Sequence, residues 1–258
     1  MTEELYVEAS GTGAPLVMLH GWGMHGGVWD DCIASLETRC RVFRPDLPGH
    51  GRSPALPVQS DIDELSAAIA RHCPRKMILL GWSLGGLIAI RLARRLPQRI
   101  RALVLVGTTP RFVTGPDWPW AVELPVLESF GRELADDYRR TVRDFLALQV
   151  RGDEHALELL RTLKARVFAH GEPNAGALRQ GLELLATTDL REDLPHIQLP
   201  TLVIAGERDR LTPPEAGAWA AEAIEGARFL SIPGAAHAPF LSHRRQFLEG
   251  LMQFLDEA

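Results

Sequence analysis

Ser83 stands in GWSLGG, residues 81–86, with the apolar run KMILL before it and LIAIRLARRL after it. A serine hydroxyl is a weak nucleophile until a base takes its proton. The usual base is a histidine held in place by a carboxylate. The chain carries both further on. Asp209 lies in ERDRLTP, just past the run TLVIAG, and His237 lies in SIPGAAHAPFLSH, past the last apolar run. Serine, then acid, then histidine, each after a strand-like run, is an order suited to acyl transfer. Glu207 is the runner-up acid, and its plain alternative is a solvated loop charge. His243, six residues beyond His237, reads as a surface or capping residue. His196 reads as part of a linker.

Small residues flank Ser83 for a physical reason. A strand that turns sharply into a helix brings the two backbones close together. The serine at the turn is strained and its hydroxyl is lifted clear of the strand. The helix N-terminus behind it presents free N–H groups and positive potential to a developing oxyanion. One oxyanion donor is then the N–H of Leu84. The second should come from a loop after an early strand, and LHGWGMHGGVWD (19–30) supplies one. There the Trp22 N–H is the candidate donor. His20 precedes the serine and reads as a brace for that loop. Asp46 and His50, in DLPGHGRS (46–53), read as structural.

These residues need a frame. PLVMLHG (15–21), CRVFRPD (40–46), KMILLGW (76–82), ALVLVGT (102–108), TLVIAGE (201–207) and ARFLSIPG (227–234) are short runs rich in Val, Leu and Ile. Their apolarity is mostly continuous, as expected of parallel strands covered on both faces. Helical patterns lie between and after them, at 61–72, 85–96, 214–224 and 244–258. The alternation predicts an α/β fold with a mostly parallel, doubly wound sheet. It breaks over residues 111–190, which are helical in pattern and hold no convincing strand. That segment reads as an inserted helical cap entered through a proline-rich linker. Residues 1–110 and 191–258 then form the core.

Composition narrows the function. The chain has 258 residues, 46% hydrophobic and 24% charged, enough for a sizeable core. A net charge of -5 argues against broad nucleic-acid binding. The acidic start MTEELYVEAS has no apolar core of a secretory signal, and no run is long enough to span a bilayer. Cys32, Cys40 and Cys73 form no paired framework and read as free thiols of a cytoplasmic protein. No ligand cluster for a metal is legible, and neither a metal nor an organic cofactor is expected.

LHGWG, DLPGHGRS, GWSLGG, TTDLREDLPHIQLPTLVIAGERD and GAAHAPF together resemble the α/β-hydrolase superfamily over the whole chain. Within it, HGWGMHGGVW, LGWSLGGL, the cap segment DDYRRTVRDFLALQ and AAHAPFLSH look most like the pimeloyl-acyl-carrier-protein methyl ester esterases of biotin synthesis. The resemblance implies a serine carboxylesterase that needs no cofactor. It implies substrate contacts at Trp22, Ser83, Leu84, Phe145, Leu146, Ala147, Leu148, Gln149 and His237. It also implies a partner, the acyl carrier protein, met by basic cap residues. Arg140 and Arg161 match such positions, with Arg143 and Arg151 close by, whereas Asp144 and Leu157 stand where further arginines are expected. A solvated helix with Asp136–Arg140 and Asp137–Arg140 pairs is the plain alternative for Arg140. A monomer is expected. Two other readings remain at this stage: another serine hydrolase on the same fold, such as a short-chain esterase or a C–C bond hydrolase, and a non-catalytic ligand receptor.

Overall fold

The computed structural model describes residues 4–56 and 60–257. Residues 1–3, 57–59 and 258, which fall within the expected core, lie outside that description. Seven strands form one sheet: β1 (Val7–Ser10), β2 (Ala14–Leu19), β3 (Cys40–Pro45), β4 (Met77–Trp82), β5 (Ile100–Val106), β6 (Thr201–Gly206) and β7 (Arg228–Ile232). Their spatial order is β1-β3-β2-β4-β5-β6-β7. Every pairing is parallel except β1 on β3. The six apolar runs are β2 to β7. β1 escaped the reading because VEAS alternates in half-exposed positions at the sheet edge and carries no apolar run.

The continuous apolarity has its expected cause. β4 and β6 are buried at every residue, as are the last four residues of β2. The four core helices named from periodicity are present as α2 (Ile62–Arg71), α3 (Leu84–Arg95), α8 (Pro214–Ala223) and α10 (Arg244–Glu257). Two shorter ones are added, α1 (Asp30–Leu36) and α9 (Pro239–Ser242). α2 starts where Asp61 accepts from the N–H groups of Asp63 and Glu64, an N-cap that satisfies two orphan donors. α3 packs on β4 and β5, and α8 packs on β6 and β7.

Between β5 and β6 run four helices: α4 (Leu124–Asp136), α5 (Tyr138–Gln149), α6 (Ala156–Arg166) and α7 (Ala175–Thr187). Among the described residues this stretch has only isolated β-bridges and no strand. The proline-rich entry, expected as a linker, is packed instead. Trp118 is fully buried and meets Trp120 and Trp219 edge-on, at centroid distances of 5.3 and 5.0 Å. Aromatic burial outweighs the loosening effect of the prolines. The helical pattern is broken at Asp137, between α4 and α5, where the backbone leaves the helical region. The Asp137 side chain caps α5 by accepting from the Arg140 N–H at 3.0 Å. The Asp136–Arg140 and Asp137–Arg140 ion pairs of the plain alternative do not form. Arg140 pairs forward with Asp144 at 3.6 Å.

Candidate active site

β4 ends at Trp82 and α3 begins at Leu84, so one residue makes the whole turn. Ser83 makes it at φ 55°, and it is the one non-glycine residue with positive φ among those described. Such a backbone costs roughly 1–2 kcal/mol for an L-residue. Neighbours hold it there. The Ser83 N–H donates to the Val106 carbonyl at 3.1 Å, and Thr108 Oγ1 donates to the Ser83 carbonyl at 2.8 Å. The flanking glycines are required by close approach. A Cβ on Gly81 would lie 2.3 Å from the Gly85 oxygen, and one on Gly85 2.6 Å from the oxygens of Leu19 and His20.

The loop after β2 runs against this turn. A Cβ on Gly21 would sit 3.1 Å from Ser83 Cβ, which places residues 20–22 beside the serine. His20 braces the loop. Its Nε2 accepts from the Leu47 N–H at 2.8 Å, so its Nδ1–H donates to the Gly21 carbonyl at 2.8 Å. Burial, with the nearby His50 adding to it, pushes the His20 pKa down to about 3 and keeps the ring neutral. Asp46 receives hydrogen bonds from the backbone N–H groups of Gly26 and Arg52 and from Arg52 Nε. Burial opposes its charge, but these donors and nearby groups hold its pKa below the usual range. His50 Nδ1 meets the Pro48 carbonyl at 3.0 Å. All three residues support the loop. Leu84 opens α3, so its N–H belongs to the first turn, where donors have no partner inside the helix.

His237 is fully buried, and its Nδ1 lies 2.8 Å from Asp209 Oδ2. Asp209 is held by its own turn. Its Oδ1 accepts from the N–H groups of Leu211 and Thr212, at 2.8 and 3.0 Å. Its Oδ2 also accepts from Thr212 Oγ1 at 2.7 Å. The acceptor role of Asp209 means that His237 Nδ1 carries the proton and Nε2 offers a lone pair. The His237 carbonyl accepts from Trp82 Nε1 at 2.8 Å, which ties the histidine loop to the residue before Ser83. Ser83 Oγ and His237 Nε2 are both buried without a hydrogen-bond partner. Glu207 is exposed and accepts from the Gly234 N–H at 3.0 Å, away from the imidazole. His243 sits at the end of α9, and His196 is exposed just before β6.

The helices between β5 and β6 close over this group. Trp22 Nε1 donates to the Leu178 carbonyl of α7 at 2.7 Å, and the Trp22 ring meets Phe145 of α5 edge-on at 4.7 Å. Phe145, Leu146 and Gln149 are buried, Leu148 is half-buried, and the helical period turns Ala147 to the surface. Both amide atoms of Gln149 are buried and unpartnered. Arg140, Arg143 and Arg161 are exposed on α5 and α6.

Two contributors escaped sequence reading. Thr212 holds the Asp209 carboxylate, and the Asp-x-x-Thr spacing of a side-chain-capped turn was its available signal. Asp153, before α6, accepts from the Ala236 N–H at 2.8 Å, 83 residues away. The His237 N–H donates to the Gln149 carbonyl at 3.3 Å. No local signal announces contacts of that span.

A strained serine at a helix N-terminus, with a buried His–Asp pair tied to the residue before it, is equipped for nucleophilic acyl transfer. The chain belongs to the alpha/beta hydrolase fold family, whose pattern matches residues 14–244. Its relatives include a pimeloyl-[acyl-carrier protein] methyl ester esterase of Nitrosomonas europaea, 43% identical over 95% of this chain and 96% of that one. One of the same name from Chromobacterium violaceum is 42% identical over 98% of both chains. Among solved structures, an esterase from Exiguobacterium antarcticum superposes with a TM-score of 0.87 at 25% identity, over 98% of this chain and 95% of that one.

Proposed function

We propose that this protein is a serine esterase that hydrolyses the methyl ester of a pimeloyl chain on an acyl carrier protein, in biotin synthesis. The observation carrying the chemistry is Ser83 at φ 55°, with the neighbouring Trp82 bonded to the His237 carbonyl and His237 in turn 2.8 Å from Asp209. The substrate rests on likeness to the named esterases along nearly the whole chain, the helical insertion included. His237 Nε2 takes the Ser83 proton as Oγ attacks the ester carbonyl. The N–H groups of Trp22 and Leu84 stabilise the oxyanion, each worth about 3–4 kcal/mol in comparable sites. Asp209 stabilises the imidazolium and fixes its tautomer. The imidazolium gives its proton to the leaving methoxide, and methanol departs. Water activated by His237 then cleaves the acyl-serine, leaving a free carboxylate on the carrier-bound chain.

The residues over the serine suit such a substrate. Phe145 and Leu146 offer apolar surface to a methylene chain. Gln149 holds a buried donor and acceptor without a protein partner, a fit for a polar group of the bound chain. Arg140, Arg143 and Arg161 are exposed cations for an acidic carrier, and the partner and a cytoplasmic location belong to this reading. The purified protein is to be assayed on pimeloyl-carrier methyl ester and on p-nitrophenyl butyrate, with a folded Ser83→Ala variant beside it. The expected result is turnover of both, lost by ~10⁴-fold or more in the variant. Turnover of the small ester alone would favour a generic esterase. An active Ser83→Ala variant would remove the serine mechanism.

A further inference from the structure

Glu154, His155 and His243 come together on the side of the molecule where the segment between α5 and α6 meets the end of α9. One donor atom from each lies within 4.8 Å of the other two. We propose that these three residues form a site for a divalent transition metal of the zinc class, one that fastens the inserted helices to the histidine loop.

The donor set is two imidazoles and a carboxylate, which suits Zn²⁺ with a fourth position left to water. Tetrahedral ligands at about 2.0–2.1 Å from zinc lie about 3.4 Å from one another, so the three groups need only close inward. Glu154 and His155 are exposed and have rotamer freedom to do so. His243 is the fixed member, with 7% of its side chain exposed. Its Nδ1 lies 2.9 Å from Ser242 Oγ, and its Nε2 faces Glu154 Oε2 at 3.9 Å. An outer-shell acceptor on one imidazole nitrogen, with the other aimed at a carboxylate, is the usual setting of a metal-binding histidine. The His155 ring lies against that of His243 with centroids 5.3 Å apart. Glu154 Oε1 is engaged by Arg208 at 3.0 Å, which leaves Oε2 for the metal. A solvent-open groove of about 540 Å³ beside His155 and Ser242 gives access. Asp31, Glu158, Arg244 and Arg245 also line it.

The location gives such a site a consequence. The Glu154 N–H donates to the Gly234 carbonyl at 3.1 Å, and Asp153 holds the Ala236 N–H. His243 follows His237 by six residues. A metal bound to all three residues would add a further, stronger tie across the same seam.

The test uses the metal-free full chain, titrated with Zn²⁺ by calorimetry and with Co²⁺ by visible absorption. His155→Gln, His243→Gln and, as a remote control, His196→Gln are measured alongside. His155 is exposed, so its variant keeps the fold, and metal-free melting checks all three. The expected result is one Zn²⁺ per chain and four-coordinate Co²⁺ bands. At a hundredfold excess over Kd, the Tm should rise by roughly 5–10 °C. His155→Gln and His243→Gln should each weaken binding at least tenfold, about 1.4 kcal/mol, and His196→Gln should not. Absence of saturable binding would overturn the proposal. So would binding that survives both His155→Gln and His243→Gln, which would make Glu154–His243 a plain polar contact and send the metal elsewhere.

Discussion

The indole N–H of Trp22 donates to the carbonyl oxygen of Leu178 at 2.7 Å, across 156 residues of chain. The backbone of Trp22 lies in the loop beside Ser83, and Leu178 lies on α7 of the insertion. A Cβ on Gly181, one turn further along α7, would lie 2.6 Å from Trp22 Cδ1, so the contact is close. The position of the loop after β2 is thus tied to the helices that cover it. Trp22→Phe keeps the main-chain N–H and most of the ring but removes this bond. A buried hydrogen bond of this kind is worth about 0.5–1.5 kcal/mol net. The variant should melt a few degrees lower and lose roughly 3–10-fold in kcat on a small ester. Unchanged kcat would show that the tie does not position the donor.

The four hydrogen bonds to Asp209 separate its role from that of Glu207. Asp209→Asn should lower kcat by about 10³–10⁴, because an amide facing His237 Nδ1 favours the wrong tautomer. Glu207→Gln should cost less than tenfold, because its carboxylate only supports the turn at Gly234. Steady-state rates on p-nitrophenyl butyrate decide the ranking, and a reversed order would make Glu207 the acid.

Charge reversal of Arg140 and Arg161 to Glu should lower kcat/KM for a carrier-bound ester and barely alter that for a small free ester. Arg140 is largely exposed, and its 3.6 Å pair with Asp144 contributes little to the fold. The carrier reaction should weaken with added salt, since exposed charges are screened over about 10 Å at 0.1 M. With a net charge of -5 on the whole protein, attraction of an acidic partner must come from a local patch. An equal loss on both substrates would point to damaged packing of α5 and α6.

Acid stability should reflect the buried histidines under the loop. Burial lowers the pKa values of His20, His25 and His50, to about 3 for His20. The unfolded chain, with histidines near 6.5, therefore binds more protons than the folded one below that pH. Stability is full above about pH 6.5 and falls as the pH drops from there toward 3. Thermal melts should show Tm declining already between pH 6.5 and 5, before most carboxylates titrate. His50→Asn, which keeps a donor for the Pro48 carbonyl, should flatten that decline. A wild-type Tm constant down to pH 5 would contradict it.

Much of this was legible along the chain because its causes are local. Continuous Val, Leu and Ile runs mark strands buried on both faces, and all six were found within two residues at either end. GWSLGG marks a turn too tight for any residue but glycine two positions either side of Ser83, since the clash partners of Gly81 and Gly85 lie within the same strand–turn–helix unit or at the end of the strand beside it. Loop position after the run TLVIAG ranked Asp209 ahead of Glu207. Only the tertiary structure shows the turn that points the Asp209 carboxylate at His237 and leaves Glu207 exposed on the Gly234 N–H. The edge strand β1 was invisible because half-exposed residues carry no burial pattern. The packed Trp118, the Trp22–Leu178 bond and the meeting of Glu154, His155 and His243 were invisible for a different reason. Each depends on where segments tens to more than a hundred residues apart are brought by the sheet, and no local spacing encodes that distance.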